Sequence, residues 1–220
     1  MLADRRANVL GGKSVERKDG LIVDVYLTKI PNGMGRDVLF PIERQNEVLA
    51  CGNEKVRRQK YYAWKLLKYA LRESFGYEME RLSFCKGKNG KWTSPNCCFS
   101  ITHSHDAVAV AVGNAPIGVD LEKIAPEKAK FLQTVLTEKE RQEFALLFNE
   151  NERVDYLFEI WTKKESIFKK TGDGVFRPSK IAVDKGVVTK SVTIDGERYV
   201  LSVAAENVAA ARYFFDVDFA

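Results

Sequence analysis

Ile117-Gly118-Val119-Asp120-Leu121-Glu122 alternates apolar residues with small or acidic ones. Side chains on a strand point alternately to opposite faces. Ile117, Val119 and Leu121 therefore share the core face, and Gly118, Asp120 and Glu122 share the other. Two carboxylates on one face repel unless a proton or a cation bridges them. With a glycine beside them to leave room for a ligand, the pattern suits Mg²⁺, which is commonly held by a few carboxylates together with substrate phosphate. A solvated strand face carrying two ordinary acids produces the same six letters, and in isolation that meaning is the more frequent.

Working outward, Gly113 and Pro116 break the chain just before this strand. The cleanest boundary falls near Gly113–Ala115 and divides the chain into residues 1–114 and 115–220. Upstream, Cys97–Thr102 and Ala107–Val112 read as two strands of a hairpin whose loop is His103-Ser104-His105-Asp106. Leu21–Ile30 reads as a strand that Pro31 and Gly33 end, and Asn53–Phe75 as a helix that Gly76 stops. On that helix Ala63, Leu66, Leu67, Ala70 and Leu71 form the apolar side. Arg57, Tyr61, Lys65, Lys68 and Arg72 line another side at helical spacing, with Lys55, Arg58 and Lys60 nearby.

Downstream, Thr137-Glu138-Lys139-Glu140 has the form of a capping box and opens a helix to about Phe148. A second helix covers about Glu152–Lys170 and ends at Gly172. Asp195-Gly196 lies between Ser191–Ile194 and Arg198–Val203, a two-residue hairpin signal, and Arg212–Phe219 closes as a last strand. Each part reads as strand, helix and strands. The expected fold class is α+β, with two similar subdomains, antiparallel sheets and a pseudo-dimeric arrangement.

Two further clusters carry chemistry. Glu165 and Lys169 share a helix face four residues apart. They are either a surface ion pair or a third metal carboxylate beside a cation for phosphate charge. His103, with His105 close by, is either an exposed loop residue or a hydrogen-bond partner for a phosphate oxygen. The basic helix side is either solvated or a phosphate or nucleic-acid contact surface.

The 220 residues are 45% hydrophobic and 30% charged, with a net charge of +5. That composition suits a globular domain and is compatible with a phosphorylated ligand, an acidic protein partner or a nucleic acid. No apolar run approaches the length of a membrane span. Met1–Gly20 is polar and lacks the apolar middle of a secretory signal, so the expected location is cytoplasmic. The four cysteines, Cys51, Cys85, Cys97 and Cys98, have no CxxC spacing and are expected as reduced thiols.

Gly118-Val119-Asp120-Leu121-Glu122 followed by Trp161-Thr162-Lys163-Lys164-Glu165-Ser166-Ile167-Phe168-Lys169 resembles the paired signature of the 4′-phosphopantetheinyl transferase superfamily. Phe99-Ser100-Ile101-Thr102-His103-Ser104 resembles its histidine-serine segment. Asn89-Gly90-Lys91 resembles its glycine-lysine step, with Trp92 where the family usually has proline. Length places the chain nearer the two-domain enzymes that activate surfactin-type synthetases than the half-length trimeric class.

The resemblance implies transfer of 4′-phosphopantetheine from coenzyme A to a serine of an acidic acyl or peptidyl carrier protein, with release of 3′,5′-ADP. It implies that Asp120, Glu122 and Glu165 hold Mg²⁺, a site Mn²⁺ also suits. His103, Lys91 and Lys169 would contact the coenzyme, and Arg57 and Arg58 its 3′-phosphate. Glu165 and Lys169 are the candidate catalytic residues, Glu165 as the base. A monomer that binds neither nucleic acid nor membrane is expected. A Mg²⁺-dependent phosphohydrolase and a basic nucleic-acid-binding module are the competing readings.

Overall fold

The computed structural model describes residues 21–87, 90–172, 174–183 and 186–218. Met1–Gly20, together with Asn89 of the glycine-lysine step and Phe219 at the end of the expected last strand, lie outside these.

In chain order the elements are β1 (Val23–Lys29), α1 (Ile42–Leu49), α2 (Glu54–Phe75), β2 (Cys85–Lys86), β3 (Trp92–Thr93), β4 (Cys98–Ser104), β5 (Ala107–Gly113), β6 (Ile117–Lys123), α3 (Ala129–Leu132), α4 (Glu138–Ala145), α5 (Glu150–Thr171), β7 (Val187–Ile194), β8 (Glu197–Ala205) and β9 (Arg212–Phe215). The fold is α+β, as expected. One sheet has the order β4-β5-β1-β9, another β6-β8-β7, and β2 and β3 form a two-stranded ribbon. The pairings are antiparallel except that β9 runs parallel to β1, Asp24 standing opposite Arg212. The expectation of antiparallel sheets is corrected at that edge. A bidentate ion pair anchors β9 there: Arg212 donates to both carboxylate oxygens of buried Asp24, at 2.7 and 2.6 Å.

Packing follows from residue size on each strand face. On β5, Val108, Val110 and Val112 meet α2, while Ala107, Ala109 and Ala111 turn toward the second sheet. Small alanines allow the sheets to approach, and Val23, Val25 and Leu27 of β1, Ile117, Val119 and Leu121 of β6, and Leu201 and Val203 of β8 fill the space between. Burial of these methyls stabilises the fold by roughly 25 cal/mol per Å² of apolar surface. On the far side, Val200 of β8 packs with Leu157, Phe158 and Ile160 of α5. The resulting order is helix, sheet, sheet, helix.

The long helices are built alike. Each has 22 residues, an asparagine N-cap (Asn53, Asn149) and a left-handed glycine C-cap (Gly76 at φ 70°, Gly172 at φ 72°). Asparagine oxygens satisfy the first free N–H groups, and glycine takes the positive φ without a Cβ penalty. The capping box is present, with Thr137 Oγ1 accepting from Glu140 N–H and Glu140 accepting from Thr137 N–H. Asp195 and Gly196, both at positive φ, make the β7–β8 turn.

Candidate functional site

The polar face of β6 meets α5 at one end of a cavity of about 520 Å³. Asp120, Glu122, Glu165, Lys169, His103 and Lys91 all line it. A strand and a helix more than forty residues apart in sequence thus bring every carboxylate expected from the two motifs to one place. Gly118 has a different use from the one expected of it. A Cβ built there would lie 1.9 Å from Ser166 O and 2.5 Å from Lys170 N, so the glycine makes room for the backbone of α5, not for a ligand. That close approach brings Glu165 and Lys169 over Asp120.

The electrostatics are those of crowded like charges. Glu165 is pushed up to about 7, first by burial and then by Asp120, with Lys169 opposing. Glu122 is also raised, by burial and by Asp120. Burial alone would lower the Lys169 ammonium, but Asp120, Glu165 and Glu122 outweigh it and hold it above its usual value. Lys169 Nζ donates to Asp120 Oδ1 at 2.6 Å, whereas Asp120 Oδ2 is buried with no hydrogen-bond partner.

Among the described residues no three acid, histidine or cysteine side chains stand close enough together, as they are placed, to hold a metal ion. The donor chemistry nevertheless fits a hard divalent cation. An orphaned, buried carboxylate oxygen beside two carboxyls that resist ionising is stabilised by added positive charge, and oxygen donors with open positions suit such an ion.

His103 belongs to β4 and not to the expected loop, which shortens to His105-Asp106. Although the residue is exposed at the cavity wall, desolvation by the protein atoms around it, then the charges of Lys169 and Arg44, lower it to about 4. It is therefore neutral near pH 7 and can donate one hydrogen bond. Lys91 Nζ donates to the carbonyl of Lys169.

Arg57 and Arg58 are not among the residues lining this cavity. Arg57 Nε donates to Cys51 O at 2.8 Å, and Arg58 pairs with Asp106 at 3.3 Å. The cations present instead are Lys60 and Arg44. Arg44 donates to Glu47 and to Lys60 O and lies 5.1 Å from the Trp64 ring centroid, while its buried Nε has no partner. The basic side of α2 is largely neutralised: Lys65 pairs with Asp37, Lys68 with Glu80 and Arg72 with Glu73. No helix among the described residues is long and apolar enough to cross a membrane.

The stretch of chain that carries the strand carboxylates and the helix Glu-Lys pair is similar to known proteins. Residues 116–211 match the model of the 4′-phosphopantetheinyl transferase superfamily. The resemblance read from the motifs is thereby borne out. The chain is 28% identical over 166 residues to the 4′-phosphopantetheinyl transferase gsp of Aneurinibacillus migulanus, covering 71% of this chain and 69% of that protein. It is 33% identical over 114 residues to psf-1 of Bacillus pumilus, covering 50% of this chain and 48% of that protein. To Sfp of Bacillus subtilis it is 32% identical over 84 residues, covering 38% and 37%. The chain thus spans about half or less of psf-1 and Sfp, and somewhat over two thirds of gsp. The superfamily match covers β6 through α5 and ends beside β9. The N-terminal side of the cavity, with Arg44, Lys60 and His103, lies outside it.

Proposed function

We propose that this protein transfers the 4′-phosphopantetheine group of coenzyme A to a serine of an acidic acyl or peptidyl carrier protein and releases 3′,5′-ADP. The observation that carries this reading is the meeting of Asp120, Glu122, Glu165 and Lys169 at one end of a cavity whose other walls supply Arg44, Lys60 and Lys91. Such a cavity offers carboxylates for a cation and cations for phosphates. The superfamily match and the names of the relatives agree with it.

In this reading Asp120, Glu122 and Glu165 hold Mg²⁺, and Mn²⁺ is an acceptable substitute for the same oxygen donors. Bound there, the ion supplies charge stabilisation to the pyrophosphate oxygens. Lys169 neutralises charge on the same oxygens. Neutral His103 donates a hydrogen bond to a phosphate oxygen, and Arg44 and Lys60 balance the remaining phosphate charge. The carrier serine oxygen forms a bond to the β-phosphorus as the bond from that phosphorus to the bridging oxygen breaks. The electron pair leaves on 3′,5′-ADP, and Glu165 takes the hydroxyl proton.

The two halves, 1–114 and 115–220, are read as similar subdomains of a pseudo-dimer. The matching lengths and caps of α2 and α5 and the equal lengths of β1 and β6 support this. A monomer acting in the cytoplasm completes the proposal.

Intact mass of apo-carrier proteins after incubation with this protein, coenzyme A and Mg²⁺ tests it. Gain of one phosphopantetheine group, lost with EDTA, is expected. No gain on any carrier, together with no binding of coenzyme A, overturns the reading.

A further inference from the structure

Strands β4 and β6 lie side by side but belong to different sheets. β6 bonds to β8 along one edge. Along the other, its N–H groups reach side chains and not a backbone ladder. Val119 N–H donates to Ser100 Oγ at 3.0 Å, Leu121 N–H to Thr102 Oγ1 at 3.3 Å and Lys123 N–H to Ser104 Oγ at 3.1 Å. The constant offset of 19 residues means the strands run parallel and in register. Ser100, Thr102 and Ser104 are 4%, 5% and 6% exposed, so these three hydroxyls satisfy edge N–H groups that burial would otherwise leave costly.

A hydroxyl has one proton and two lone pairs. With a lone pair engaged by the backbone, the proton is directed elsewhere, and two of the three protons have a carboxylate waiting. Thr102 Oγ1 donates to Asp120 Oδ1 at 3.2 Å, and Ser104 Oγ donates to Glu122 Oε2 at 3.0 Å. Ser100 faces the position of Gly118, where there is no carboxylate to receive it.

We infer that Thr102 and Ser104 are positioning residues that fix the orientation of the Asp120 and Glu122 carboxylates for a divalent cation, whereas Ser100 serves the sheet junction alone. The inference rests on the metal-dependent reading above. Each hydroxyl holds one oxygen of its carboxylate and leaves the other unengaged by it; at Asp120 that other oxygen is Oδ2, buried without a hydrogen-bond partner. The junction between the sheets and the alignment of the ion-binding oxygens are thus made by the same atoms. Groups that orient metal ligands in this way are typically worth about 10–100-fold in metal affinity.

The test compares the full-length wild type with Ser100→Ala, Thr102→Val, Thr102→Ser and Ser104→Ala. Two quantities are read: the Mn²⁺ dissociation constant, from the electron-spin signal of the free ion with no coenzyme present, and the melting temperature. Each hydroxyl deletion is expected to lower the melting temperature, since each leaves a buried N–H unpaired. Only Thr102→Val and Ser104→Ala are expected to weaken Mn²⁺ binding, by about tenfold or more, and Thr102→Ser restores it. Equal Mn²⁺ affinity in all variants, with lowered melting temperatures, overturns the positioning role and leaves a structural junction. Weakening by Ser100→Ala as large as the others overturns it too, because general loosening then explains the effect. Wild type that binds no Mn²⁺ at millimolar concentration removes the metal reading and this inference with it. If Thr102→Val does not fold, Ser104→Ala against Ser100→Ala decides the matter.

Discussion

Lys164 Nζ lies 2.5 Å from Glu140 Oε2, with the lysine side chain wholly buried and the glutamate nearly so. The same ammonium donates to Val135 O at 2.8 Å, and the same carboxylate oxygen accepts from Thr137 N–H at 2.7 Å. One ion pair thus joins the cap of α4 and the turn before it to the middle of α5, one residue from Glu165. Removing one partner of a buried pair leaves an uncompensated charge, which costs about 3–5 kcal/mol, whereas replacing both by apolar groups is often nearly neutral. Lys164→Met is therefore expected to lower unfolding free energy by about 3 kcal/mol. Adding Glu140→Leu is expected to recover part of that loss. Urea unfolding of both variants measures it; a loss well under 1 kcal/mol for Lys164→Met would contradict the burial argument.

Gly118 offers a sharper probe of the β6–α5 contact. A Cβ there meets backbone atoms, which cannot swing aside as a flexible side-chain end does. Gly118→Ala is expected to push α5 outward at a cost of about 1–3 kcal/mol. It moves Glu165 and Lys169 away from Asp120, and a displacement near 1 Å at a reacting centre costs about 10²-fold in rate. Turnover of coenzyme A and a carrier protein is expected to fall by that factor, with the folded state still populated. Wild-type turnover in Gly118→Ala would show that the helix can yield without disturbing the site.

These contacts mark where the sequence stops being readable. The alternation of Ile117–Glu122 and the helical spacing of Glu165 and Lys169 are local patterns, and they located the acidic end of the cavity. The caps Asn53, Asn149 and Thr137 are equally local. The hydroxyls of Ser100, Thr102 and Ser104 are not, because their role depends on β4 running parallel to β6 across a sheet boundary. Helix α1, which carries Arg44, is only eight residues long, shorter than the window over which helical periodicity is read. On α2 the eye follows the stripe from Arg57 to Arg72, but each residue turns the helix by about 100°. Lys60 and Trp64 belong to the neighbouring face, and that is the face the cavity uses.

The carboxyl of Glu165 gives a pH dependence of definite sign. Its value rises from 4.5 to about 7 in the folded metal-free protein, because burial and Asp120 disfavour the charged form. The folded state then binds a proton more tightly than the unfolded chain. Its contribution to stability is full below about 4.5 and is lost as pH rises through about 7. Metal-free wild type is expected to lose stability across that window relative to Glu165→Gln. Divalent cations require the deprotonated form, so their stabilising effect is expected to grow over the same interval. Thermal melts from pH 5 to pH 8, with EDTA or with Mg²⁺, read both slopes; parallel curves for wild type and Glu165→Gln would exclude Glu165 as the group responsible.

Arg44 and the pair Arg57 and Arg58 make opposite predictions about how coenzyme A is held. Arg44 lines the cavity, and its Nε is buried without a partner. Burial lowers its pKa, with Glu47 opposing, yet a guanidinium so placed remains charged at pH 7 and has a donor free for a phosphate oxygen. A charge-assisted hydrogen bond of this kind contributes about 1.5–3 kcal/mol. Arg44→Met is therefore expected to raise the KM for coenzyme A by about tenfold or more, with a smaller effect on kcat, because binding and not the reacting atoms is affected. Arg57→Met and Arg58→Met remove side chains that lie outside the cavity lining and bond Cys51 O and Asp106, although Arg58 Nε is likewise buried without a partner; they are expected to leave that KM within about twofold. Steady-state kinetics with varied coenzyme A separates the two. A large rise in KM for Arg57→Met or Arg58→Met, with none for Arg44→Met, would return the 3′-phosphate to the residues that the sequence pattern pointed to and would move the bound coenzyme toward the start of α2.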